Sequence, residues 1–74
     1  MDVLSVEFVE SKDANDPDYD IRLYDGQGNM LRQSTTKGGT VQFNVSYISN
    51  GIYFLYIYDG VNSKPEIHQI VVER

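Results

Sequence analysis

The chain has 74 residues and no cysteine, and its 11 Asp and Glu outweigh 6 Lys and Arg to give a net charge of −5. That length holds one small core, so residues 1–74 are expected to form a single module, and the lack of cysteine excludes disulfide staples and thiolate zinc sites. The acidity argues against nucleic acid as a partner, the absence of any run near the roughly 20 apolar residues of a membrane helix argues against direct membrane insertion, and Met1-Asp2-Val3 lacks the basic start and apolar stretch of a signal peptide.

Period-two alternation carried by β-branched and aromatic residues recurs from end to end, and helix signals are almost absent. Leu4, Val6 and Phe8 alternate with Ser5 and Glu7, predicting a first strand with one apolar and one wet face. Residues 11–18, polar apart from Ala14 and Pro17, read as a loop. Tyr19, Ile21 and Leu23 resume the alternation. Asp25-Gly26-Gln27-Gly28-Asn29 then supplies residues that tolerate positive φ, so a hairpin is expected to return through a strand near Met30 to Ser34.

Lys37-Gly38-Gly39 makes the next reversal, after which Val41, Phe43 and Val45 point one way and Gln42 and Asn44 the other. Ser46 to Gly51 crosses over, with Ile48 expected as a plug beneath the loop. Every residue from Ile52 to Tyr58 is apolar or aromatic, the pattern of a central strand buried or covered on both faces. Asp59-Gly60 ends it, and a last strand from about Glu66 to Val72 carries Ile70 and Val72 on one face. Short strands spaced by glycine turns predict an all-β fold, an antiparallel β-sandwich of six or seven strands.

The stretch Tyr19-Asp20-Ile21-Arg22-Leu23-Tyr24-Asp25-Gly26-Gln27-Gly28-Asn29-Met30-Leu31 resembles the pattern Y-x-[IV]-x-[IV]-Y-[DN]-x-x-G-x-x-[VL] of C-terminal sorting modules of the type IX secretion system. Val45-Ser46-Tyr47-Ile48-Ser49-Asn50-Gly51-Ile52-Tyr53-Phe54-Leu55 is similar to that family's V-S-x-L-x-x-G-[IV]-Y-[FLV]-[LV]. The blocks stand in the family's order and spacing and cover roughly residues 19 to 74. Asn15-Asp16-Pro17-Asp18 replaces the family's usual Pro-Asn-Pro opening, and Glu66-Ile67-His68-Gln69 stands where its last strand usually carries lysines.

The resemblance implies a small immunoglobulin-like sandwich at the C-terminus of a larger exported protein of Bacteroidota, periplasmic, secreted or at the cell surface. It also implies sorting, anchoring or domain packing as the role, with a neighbouring domain or the secretion and anchoring machinery as partner. Small periplasmic immunoglobulin-like proteins of gut Bacteroides share much of this strand grammar, so a carbohydrate- or protein-binding accessory module is the alternative.

No residue set names a reaction, and neither an enzyme nor a cofactor is expected. His68 is the only histidine, so a serine or threonine nucleophile would have this one base; it reads as a rim or partly buried strand residue. Paired-carboxylate chemistry needs two acids opposed across a cleft at roughly 5 to 10 Å, whereas Glu7, Glu66 and Glu73 read as solvated strand residues that discourage edge pairing. Asp13, Asn15, Asp16, Asp18 and Asp20 offer the hard oxygens Ca²⁺ prefers, without the glycine and bidentate glutamate of an EF-hand loop. The segment reads as a solvated acidic loop, with calcium as its alternative. Gly26-Gln27-Gly28 is turn chemistry, not a dinucleotide fingerprint.

If Tyr53, Leu55 and Ile57 face the core, as the family pattern suggests, then Phe54, Tyr56 and Tyr58 share the opposite face and form a candidate contact surface. Such a strip suits docking of another domain or protein, or stacking of sugar rings. Alternatively, neighbouring strands or the Tyr19 to Tyr24 hairpin cover it and cross-strand pairs merely stabilise the sheet.

Overall fold

The computed structural model describes residues 2–73. It is all β: β1 (Val3–Phe8), β2 (Tyr19–Tyr24), β3 (Met30–Thr36), β4 (Gly39–Asn44), β5 (Gly51–Tyr58) and β6 (Glu66–Val72), with no helix among the described residues. All pairings are antiparallel. A smaller sheet joins β1 to β4, and a larger one runs in the order β3-β2-β5-β6. The two pack as a sandwich of six strands.

Alternation translates directly into the core. Leu4, Val41 and Phe43 point inward from the smaller sheet and Ile21, Leu23, Tyr53, Leu55 and Val72 from the larger. Val45 and Ile48 close the sandwich from the crossover that follows β4, and both are buried. Val45 is placed by its N–H, which donates to Asp2 O at 2.9 Å and carries the β1–β4 pairing one residue past the strand. The Tyr53 hydroxyl donates to Ser49 O at 2.6 Å, which gives this buried aromatic its polar partner.

β3 extends beyond Ser34 because Thr35 and Thr36 still pair with Asp20 and Tyr19. Past them Thr36 Oγ1 accepts from Gly38 N at 3.1 Å and donates to Gly38 O at 2.7 Å, which stops the strand. A bulge lies between Leu23 and Tyr24: Leu23 faces Arg32 but Tyr24 faces Met30, leaving Leu31 as the extra residue.

Two turns use the same aspartate device. Asp25 Oδ1 accepts from Gln27 N at 2.8 Å and Asn29 N at 2.9 Å, while Asn29 Nδ2 donates to Oδ2 at 3.1 Å. Asp59 Oδ1 accepts from Val61 N at 2.8 Å and Asn62 N at 2.7 Å, with Asn62 Nδ2 on Oδ2 at 2.6 Å. These bonds, led by the backbone N–H of Asn29 and of Asn62, hold both carboxyls below the usual carboxylate range. The unfolded chain therefore binds more protons than the folded one as both titrate. The stability this supplies is present above the unfolded pKa and is lost as pH falls through the folded values. Urea midpoints are expected to drop below about pH 4, and to drop less in an Asp25→Ala/Asp59→Ala variant; equal acid limbs for the two proteins would count against this account.

The segment between β1 and β2 is tied down by lysines. Lys12 N donates to Lys37 O at 2.7 Å, Lys12 Nζ reaches Asp59 O at 2.5 Å, and Lys37 Nζ donates to Asp16 O and pairs with Asp18 at 2.9 Å. The acidic residues considered for calcium thus disperse. Asp18 meets Lys37, whereas Asp20 lies in β2 and meets Arg22 at 2.8 Å and Gln33 at 3.0 Å. Among the described residues no group of three or more His, Asp or Glu is placed to hold a metal ion.

Candidate docking face

The register of the larger sheet decides what its outer face displays. β5 lies between β2 and β6, and its inward residues Tyr53 and Leu55 are buried, with Ile57 half-buried against the core. Phe54, Tyr56 and Tyr58 accordingly share the outward face, all three half-buried. β5 is central, but the expected cover on both faces is not found. Among the described residues no layer lies over the outer side, and Ile52, on that same face, is 52% exposed. The strip owes its partial burial to lateral neighbours in its own sheet.

Those neighbours differ on the two sides. Toward β2, Phe54 faces Tyr24, Tyr56 faces Arg22 and Tyr58 faces Asp20. Tyr24 and Tyr56 pack diagonally with ring centroids 4.8 Å apart, and the Arg22 guanidinium lies 4.7 Å from the Tyr58 ring centre. Arg22 also pairs with Asp20, which accepts from Gln33 on β3. The bond from Arg22 lowers the Asp20 pKa, and Asp20 in turn raises that of Arg22. This half of the face is a polar lattice, although Arg22 Nε within it is buried without a hydrogen-bond partner among the described residues.

Toward β6 the face is mainly apolar, with Gln69 as its one polar residue among the cross-strand pairs. Ile52 faces Val71, Phe54 faces Gln69 and Tyr56 faces Ile67, and both Ile67 and Val71 are 53% exposed. Ile52, Phe54, Tyr56, Ile67 and Val71 therefore make one contiguous patch across two strands, of the sort that marks interaction surfaces. Sequence reasoning found the β5 half and missed Ile52, Ile67 and Val71. The alternation of Ile67, Gln69 and Val71 against Glu66, His68 and Ile70 was the available signal, but only pairing with β5 shows which of the two sets lies beside the aromatics.

At the β2–β3 turn the strip borders a shallow depression of about 370 Å³ lined by Tyr24, Asp25, Gly26, Gly28, Phe54 and Tyr56. His68 lies on the inner face of β6 opposite Leu55, with Glu66 3.0 Å from its Nε2 and no serine or threonine hydroxyl bonded to it among the described residues. It sits at the rim, as its lone position on an apolar strand suggests.

Neither a curated protein nor a solved structure matches the chain. A family model does, and its match spans residues 2–73. It thus includes β1 and the loop after it, well outside the two motif blocks, as expected when β1 supplies half of the smaller sheet. The chain belongs to the secretion system C-terminal sorting domain family, whose domains engage the type IX secretion machinery and mark proteins for the cell surface or for secretion.

Proposed function

We propose that residues 1–74 act as one non-catalytic module that sorts, anchors or packs against a larger exported protein, and that the patch on β5 and β6 is its docking face. The observation that carries this reading is the exposure of Ile52, Ile67 and Val71 beside Phe54, Tyr56 and Tyr58. A sheet face left open in this way gains roughly 25 cal/mol for each Å² of apolar surface a partner covers.

The test is a reporter fused ahead of residues 1–74 in a host with a working type IX system. Export of the parent fusion is the reference. An Ile67→Lys/Val71→Lys variant alters two side chains that the core does not use, and is expected to keep the fold while reducing surface reporter about tenfold, the effect of roughly 1.4 kcal/mol in docking free energy. Export at parental levels by a folded variant removes the patch from the sorting role. Replacing Phe54, Tyr56 and Tyr58 together is a harsher probe, since Tyr56 packs on Tyr24 and Tyr58 beneath Arg22.

A second reading, carbohydrate binding, is favoured by one observation: the depression is lined by the three aromatic rings of Tyr24, Phe54 and Tyr56, a suitable surface for a sugar ring to stack on. Titration with soluble oligosaccharides should then shift the resonances of Tyr24, Phe54 and Tyr56, and unchanged spectra reject it.

A further inference from the structure

The sandwich is lopsided, with two strands in one sheet and four in the other. β6 is one of the two edge strands of the larger sheet, and among the described residues part of its inner face has no strand above it. Val72 is buried and Ile70 half-buried at one end, but the Glu66 and His68 side chains on the same inner face remain 68% and 48% exposed. Between β1 and β6 runs a groove of about 1140 Å³, with Leu4, Val6 and Phe8 along one wall and Leu55, Ile57 and Ile70 among its other lining residues.

β1 pairs with β4 alone. The bond from Val45 N to Asp2 O sets the phase of that ladder. By antiparallel alternation Leu4, Val6 and Phe8 direct their amides and carbonyls to β4, while Val3, Ser5 and Glu7 direct theirs to the groove side. An open strand edge beside an apolar trough is the geometry of β-strand addition, in which main-chain bonds supply affinity and alternate side chains fill pockets.

Charge narrows the occupant. Glu7, Glu10, Asp59 and Glu66 line the groove against Lys64, its one lysine or arginine among the described residues. Two copies of this chain would bring like-charged rims together, which disfavours self-association at this site.

We propose that the groove receives an extended segment of a partner polypeptide as a third strand beside β1, its apolar residues alternating toward Val6, Phe8 and Ile70 and its lysines or arginines on the opposite face, beside Glu7. This surface lies on the other side of the larger sheet from the docking face, so either can fail alone.

The probe is a peptide of alternating lysine and valine about six residues long, the span of β1 at roughly 3.3 Å per residue, added to isotope-labelled protein. Amide shifts and slowed hydrogen exchange are expected at Val3, Ser5 and Glu7, with shifts at His68 and Ile70. The glutamate–valine counterpart should bind at least about tenfold more weakly. Ser5→Pro removes an edge-facing N–H without touching the β4 ladder and should abolish binding, while Glu7→Lys should narrow the preference between the two peptides. The proposal is overturned by no shifts at about 1 mM peptide, by equal binding of a scrambled peptide, by shifts confined to Phe54, Tyr56 and Ile67, or by protection of the β1 amides through dimerisation without peptide.

Discussion

Replacing Leu23 by alanine is expected to lower the unfolding free energy by about 2 to 5 kcal/mol, close to half of what a chain of this length possesses. At roughly 0.05 to 0.15 kcal/mol per residue, 74 residues supply about 4 to 11 kcal/mol. Leu23 is 1% exposed and lies in register with Leu55, which is 3% exposed, so the cavity opens between two inner strands of the larger sheet. Backbone ladders on both sides of β2 hold the walls apart, and little collapse is available to fill the space. Urea unfolding measures the loss directly. Val61→Ala is the control, because Val61 is 75% exposed and its truncation should stay within about 0.5 kcal/mol. Similar midpoints for the two variants would show that Leu23 does not organise the core.

Gly60→Ala is expected to cost about 2 to 5 kcal/mol, the sum of roughly 1 to 2 for a left-handed backbone and roughly 1 to 3 for overpacking. Gly60 has φ 82°, and a Cβ there would overlap the Pro17 side chain and sit 3.4 Å from Asp18 O. Pro17 cannot simply retreat, because Lys37 holds the residues on either side of it, Asp16 and Asp18. Gly28 isolates the backbone part. Its φ is 86° but nothing lies within 4 Å of a Cβ built there, so Gly28→Ala should show only the smaller loss. Equal losses at the two sites would mean that the loop yields and that the contact between the β5 turn and Pro17 carries no stability.

The same contrast marks what could be read from the chain. Period-two alternation placed Leu4, Ile21, Leu23, Val41, Phe43, Val45 and Val72 in the core, because a strand sends successive side chains to opposite faces whatever its partner, whereas the all-apolar run of β5 left the inward side of Tyr53 and Leu55 to the family resemblance. Ile48 was legible as a plug because it is apolar amid a polar crossover. The aspartate turns at Asp25 and Asp59 were legible as turns because glycine and asparagine follow each of them within a few residues.

The docking face was half legible. Alternation put Phe54, Tyr56 and Tyr58 on one side of β5, but Ile67 and Val71 join them through pairings between residues far apart in the chain. One slip in that register would turn Ile67 and Val71 inward and bring Glu66, His68 and Ile70 beside the aromatics. Nor does local pattern show that Arg22 and Asp20 pair along one side of the strip while the other stays mainly apolar.

The strands, most of their inward faces and the turns between them were legible in local sequence, since these follow from backbone geometry and residue chemistry over a few positions. Tertiary structure alone decided that two strands oppose four, that the outer face of β5 continues into β6, and that an acid-lined groove opens between β1 and β6. Those features depend on strand order and long-range register, which are fixed by how the whole core closes and not by the preferences of any single segment.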